Sequence, residues 1–208
     1  MKDRIFAIAH FADQGVLYLL IALTFVSLGL IVERYLKLNK LAKQSAQQRE
    51  ILEEAMSQVK ISNLEDVKLD PTSLEGRVMN YGFEHLKQNG LKGLSETFDT
   101  FIKFQQPKLE QSLAFLATVG SNAPYIGLFG TVLGIMKSFH DLANSTNAGQ
   151  QTVMSGISAA LIATAAGLLV AIPNIVAFNY FQKQVKAIIG SVESCKDIMI
   201  AYGKMKGF

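Results

Sequence analysis

The stretch VGSNAPYIGLFGTVLGIM, residues 119–136, and its companion VMSGISAALIATAAGLLVAIPNIVAFNYF, residues 153–181, decide the fold. No acidic or basic residue occurs between Gln111 and Met136, or between Leu142 and Gln182. Each uncharged run exceeds the roughly 20 residues a helix needs to cross a bilayer. Neither reads as a plain lipid anchor, because both are rich in Gly, Ala, Ser, Thr and Pro. Small residues let helix backbones approach closely, or leave room for something to pass or insert.

Their placement is regular. On the first segment Gly120, Pro124, Gly127, Thr131, Gly134 and Ser138 recur every three or four residues. On the second, Gly156, Ala160, Thr164, Gly167, Ala171, Asn174 and Phe178 keep the same rhythm, with Pro173 beside them. That spacing draws one stripe down one helix face. Close packing of the small-xxx-small kind, with Gly130-x-x-x-Gly134 as the local motif, is one reading of it. A face lining a pore is the other. A membrane threonine usually bonds its own helix backbone. Thr131 and Thr164, on two such stripes at similar depth, are candidates for more than that, as is Asn174.

Working outward, 208 residues at 50% hydrophobic and 18% charged, with a mean hydropathy of +0.25, suit a membrane protein with a modest soluble part. A net charge of +3 is too small to suggest a nucleic-acid partner. Cys195 is the single cysteine, so no intrachain disulfide forms. His10, His85 and His140 lack metal-ligand spacing, and no metal or cofactor is expected.

The chain divides in order. Residues 1–14 set Ile5, Phe6, Ile8 and Phe11 among charges, as an interfacial amphipathic segment would. A signal peptide is the rival reading, but Asp13 interrupts the run and no small-x-small cleavage site follows. Residues 15–32 form a first span of Leu, Ile, Val and Phe that suits a lipid-facing position. Residues 33–118 read as a charge-balanced cytoplasmic helical domain. In it, Ile51 to Val59 extend the first span, and Asp70-Pro71 breaks the chain. Thr72-Ser-Leu-Glu75 opens a helix as a capping box, with Leu74, Val78, Tyr81 and Leu86 inward. Asn89-Gly90 ends that helix. A further helix carries Leu94, Phe98, Phe101 and Ile102, and Pro107 opens or kinks the helix into the second span. Spans at 119–138 and 153–181 flank a periplasmic loop at 139–152, and 182–208 is a cytoplasmic C-terminal helix. Strand-type alternation is absent. The fold class is therefore all-α, a membrane protein of three transmembrane helices.

Basic residues orient it. Arg34, Lys37, Lys40, Lys43 and Arg49 follow the first span, and Lys183, Lys186 and Lys196 follow the third. The positive-inside rule gives N-out and C-in. No motif supports an enzyme. GLFGTVLG at 127–134 has no following Gly-Lys-Ser/Thr, and Ser57-Gln-Val-Lys60 lacks companion motifs. A transporter acting alone would show membrane charges or repeated halves. A passive membrane scaffold and an independent small-solute channel stay open.

Residues 116–136 resemble the second span of the ExbB/TolQ branch of the MotA/TolQ/ExbB channel family, and residues 156–174 resemble its third. The likeness is dense over roughly 109–182 and extends by topology across the chain. It implies an inner-membrane subunit of an ion-driven motor. Family members form a pentameric ring threaded by two copies of a single-span ExbD/TolR-like partner, whose membrane aspartate takes up and releases the ion. A TonB/TolA-like effector is the implied output, and membrane lipid the surroundings. Thr131 and Thr164 fall on the family's pore threonines. Where members usually read Gly-Ile-x-Glu-Ala-Leu, this chain has Ala159, and the residues leave H+ or Na+ open as the transported ion.

Overall fold

The computed structural model describes residues 2–57, 64, 67–144 and 150–208, with side chains described from residue 14 onward except at 57, 144, 150 and 152. Helix α1 spans Lys2–Ser57, α2 Leu74–Asn89, α3 Leu94–Glu110, α4 Leu113–Asn144 and α5 Gln150–Lys206. There is no strand among the described residues. Three of the helices, α1, α4 and α5, are long and apolar enough to cross a membrane. The fold is all-α with three membrane-spanning helices, as the uncharged runs imply. The side chains of residues 1–13 of the expected interfacial segment, Val59 of the expected extension, and residues 145–149 of the expected loop lie outside the described residues.

The chain splits into two compact units. One comprises residues 1–32 and 112–179, and holds the uncharged runs. Its core is Val16, Leu20, Val119, Ala123, Val170 and Ala171, flanked by Leu23, Phe115, Ile126 and Ala166. The first span thus buries one narrow edge through Val16 and Leu20. Its other faces present Tyr18, Ile21, Phe25, Val26 and Val32 outward, as a span facing lipid would. Pro124 and Pro173 sit inside α4 and α5. Each removes one backbone donor, a loss that neighbouring helices and local adjustments accommodate in membranes.

The other unit comprises residues 33–111 and 180–208. α2 begins where Ser73 caps it: Ser73 Oγ accepts from Gly76 N at 2.9 Å and donates to Asp70 O at 2.6 Å. The cap is therefore one residue later than the expected Thr72 box. Thr72 is already committed to Asp70, and Glu75 is buried, accepting a hydrogen bond from Ser45 Oγ on α1. Gly76 is obligatory here, because a Cβ would lie 2.0 Å from Asp70 O. Gly90, at φ 62°, ends α2 with its N–H on Leu86 O, so the Asn-Gly stop is correct. Leu74, Val78 and Leu86 point inward, but Tyr81 is 55% exposed. Gly82, one residue on, takes the inward place against Phe98 and Met199. Pro107 neither opens nor ends a helix. It lies within α3, and the break falls at Ser112, which adopts φ 64°.

In this unit the carboxylate of Asp70 is held below its ordinary range, first by Thr72 and then by Gln44, which donates from 2.8 Å. Lys196 Nζ meets Asp99 at 2.8 Å, which raises the lysine. Cys195 is fully buried. Burial first, then the charge of Glu75, pushes its thiol up to about 12. At pH 8 a fraction on the order of 10⁻⁴ of such thiols is ionised. Folded protein should therefore resist iodoacetamide at pH 8 and react fully once denatured. Equal rates in the two states, followed by mass spectrometry, would contradict this packing.

Candidate functional site

The two small-residue stripes face each other. A Cβ on Gly127 would lie 2.6 Å from Ala163 O and 3.2 Å from Gly167 Cα. A Cβ on Gly167 would lie 2.5 Å from Ala123 O. Backbone thus meets backbone where α4 crosses α5, and nothing larger than hydrogen fits at either position. The contact extends both ways. Gly156 lies against Ser138, Gly130 against Ala163 and Val16, and Gly120 against Asn174 and Ile175. Ala160 and Ala171 are buried in the same seam, and Gly134 is buried on α4.

At the centre of that seam lies a hydroxyl pair. Thr131 Oγ1 is 3.2 Å from Gly127 O, 3.1 Å from Ala160 O on the opposite helix, and 2.5 Å from Thr164 Oγ1. Carbonyl oxygens only accept, so the Thr131 proton is directed to them. Thr164 must then donate to Thr131. The Thr164 oxygen keeps lone pairs unused and is only half-buried, whereas Thr131 is 7% exposed. Thr131 therefore ties the two helices together, and Thr164 is the more accessible member of the pair. Neither hydroxyl titrates near neutral pH, so neither can carry a proton.

Asn174 is 1% exposed. Its side-chain amide donates to Val170 O at 2.8 Å, while Oδ1 is buried without a hydrogen-bond partner. Such an acceptor is costly to leave unmet. Pro124 is half-buried, while Ala159 and Pro173 are exposed, off the seam. The structure thus gathers Gly120, Gly127, Gly130, Thr131, Gly156, Ala160, Thr164, Gly167 and Asn174, and leaves Ala159 and Pro173 outside. Sequence reasoning missed Ala123 and Ala163. Their signal is faint: each precedes a stripe residue, Pro124 and Thr164, and what they supply to the contact is a carbonyl, which no side-chain pattern encodes. Thr118, Ser121 and Asn122 bring further polar groups near the start of α4. Thr118 bonds back to Ala114 O, and Asn122 to Thr118 O.

Residues 70–194 match the MotA/TolQ/ExbB proton channel family. The chain belongs to that family. It is 44% identical over 131 residues to the Tol-Pal system protein TolQ of Pseudomonas aeruginosa, covering 58% of this chain and 57% of TolQ. It is 47% identical over 81 residues to the biopolymer transport protein ExbB of Salmonella typhimurium, covering 38% and 33% of the two chains. It is 52% identical over 71 residues to the ExbB of Helicobacter pylori, covering 34% and 49%. These relatives put the chain on the ExbB/TolQ side of the family. The match spans about half the length of these curated relatives or less. The family match takes in both α2 and α3, as well as the glycine seam.

The seam makes a differential test. Gly167→Ala forces a methyl into a carbonyl and should cost about 1–3 kcal/mol, read as a lower melting temperature in detergent. Gly29→Ala on α1, where a Cβ meets nothing within 4 Å, should be neutral or stabilising by about 0.5–1 kcal/mol. Equal melting of the two variants would remove the close-packed seam.

Proposed function

We propose that this chain is the ring-forming channel subunit of an ion-motive-force-driven motor in the bacterial inner membrane. It converts proton or sodium flux into mechanical work on an envelope or transport protein. One observation carries the reading: two membrane helices are locked by a threonine pair, while the spans at 15–32, 119–136 and 153–181 hold no Asp, Glu, Lys, Arg or His. A channel with hydroxyls and no titratable carrier needs its carrier from elsewhere. The family's arrangement supplies one: a ring of this subunit, five copies, around two copies of a single-span ExbD/TolR-like partner bearing a membrane aspartate, with a TonB/TolA-like effector receiving the work.

In this scheme the partner's carboxylate is the ion site, and this chain provides the surface it moves against. Thr164 offers unused lone pairs to the ion, and Thr131 fixes Thr164. Asn174 has a free acceptor about three turns further along α5. Ala159 stands where relatives of this type usually carry glutamate, so the ion's path here has no second carboxylate. One elementary charge crossing about 100 mV releases roughly 2.3 kcal/mol, enough to bias a rotation when ion entry and exit are tied to movement. The basic residues after the first and third spans support an orientation with the N-terminus outside and the C-terminus in the cytoplasm.

Thr→Val keeps the shape and removes the hydroxyl, while Thr→Ser keeps it. At Thr164, Val should reduce ion-driven work by tenfold or more, on the order of 1.4 kcal/mol, with oligomer mass unchanged, and Ser should retain it. At Thr131, Val should also lower the melting temperature, because it breaks the bond to Ala160 O. Equal activity of Val and Ser at Thr164 would assign that residue to packing alone.

A further inference from the structure

The unit formed by residues 33–111 and 180–208 holds a cavity of about 970 Å³ whose lining is strongly cationic. Arg34, Lys37, Lys40, Lys43, Arg77 and Lys108 line it, against a single lining carboxylate, Asp70. Asp70 is occupied by Thr72 and Gln44, and Lys37 is paired with Glu33 at 2.6 Å. The rest of the positive charge has no comparable counterweight in the lining. Arg34 adds a second, independent observation. It is only 4% exposed, and its Nε has no hydrogen-bond partner among the described residues. A buried guanidinium with an unmet donor is a costly element unless an anion completes it.

We propose that this cavity binds a phosphate-bearing anion. Phosphate fits better than carboxylate on two counts. It carries enough charge to answer several cations at once, and its oxygens match the planar fork of arginine. The position favours a phospholipid headgroup as the source. Arg34 stands two residues after Val32, the last residue of the first apolar span, and Lys108 stands shortly before α4 begins. Both therefore lie at the level where anionic headgroups attract basic side chains. From Arg34 to Lys43 the cations extend about 13 Å along α1, a length suited to a headgroup with its glycerol. Leu41, half-buried and also in the lining, offers apolar contact to that glycerol and the acyl carbons next to it.

The test uses the full chain, stripped of lipid in neutral detergent, and measures binding of phosphatidylglycerol, phosphatidylcholine and inorganic phosphate. Phosphatidylglycerol should bind clearly more tightly than phosphatidylcholine. The double variant Lys40→Gln/Lys108→Gln, at exposed lining positions, should weaken it about tenfold or more. A control losing equal charge at exposed positions outside the cavity, Lys186→Gln/Lys204→Gln, should shift it less than about twofold. Arg34→Gln should lose binding altogether; the surface double variant keeps the test decisive if that protein does not fold. If inorganic phosphate alone binds and shows the same pattern across variants, the source is a soluble phosphate. If it does not bind while phosphatidylglycerol does, the source is the lipid. Equal binding of the two lipids with no binding of phosphate, or equal effects of the cavity and control variants, overturns the site.

Discussion

The approach of Gly127 to Gly167 is the constraint on which the membrane unit depends. In hydrocarbon no hydrophobic force draws helices together, because lipid tails are as apolar as leucine. Association must come from close van der Waals contact and from polar groups that find partners. The glycines supply the first by letting each Cα approach the opposing helix's backbone. Thr131 supplies the second by reaching Ala160 O across the gap. Each depends on the other. Larger residues at 127 or 167 would hold the helices too far apart for the threonine bond, and without that bond the glycine contact loses its register.

The unit of residues 33–111 and 180–208 is built on different physics. Leu38, Leu86, Leu94, Phe98, Ile188 and Met199 form an apolar interior, and water drives their burial. Its polar contacts act as fasteners. Ser73 caps α2, Gln44 and Gln48 hold the Asp70 turn, and Lys196 ties α5 to α3 through Asp99. Buried Glu75 hydrogen-bonded to Ser45 shows that even an interior carboxylate is tolerated where a donor meets it. The membrane unit has no such charged fastener between Gly15 and Val32 or in the two later runs. In those runs the polar side-chain contacts among the described residues are hydroxyls and two amides, Asn122 and Asn174, and that contrast bears on function: groups that cannot ionise can guide an ion but cannot carry a proton.

Much of this was legible in the residues. The uncharged runs specify membrane helices, and the three-four rhythm of Gly, Ala and Thr places those residues on one face. The sequence alone left open whether that face packs or lines a pore. Gly127 and Gly167 prove to pack, because backbone carbonyls fill the space a pore would need. Ala123 and Ala163 escaped notice since their role is carried by the main chain. The α2 cap moved by one residue because Thr72 had a nearer partner in Asp70. Tyr81 turned outward because Gly82, with no side chain, is what the interior accepts beside Phe98. The cationic cavity was not visible as a site, since Arg34, Arg77 and Lys108 come from three helices and only folding brings them together.

The central claim is that this chain guides an ion whose carrier belongs to another chain. Ion flux across vesicles tests it most directly. Purified chain should be reconstituted alone, then with a single-span partner bearing one membrane aspartate, and flux recorded under an imposed potential. The account predicts no conductance above empty vesicles for the chain alone, and flux with the partner that an Asp→Asn change in the partner removes. Robust proton or sodium flux through vesicles holding this chain alone would contradict it.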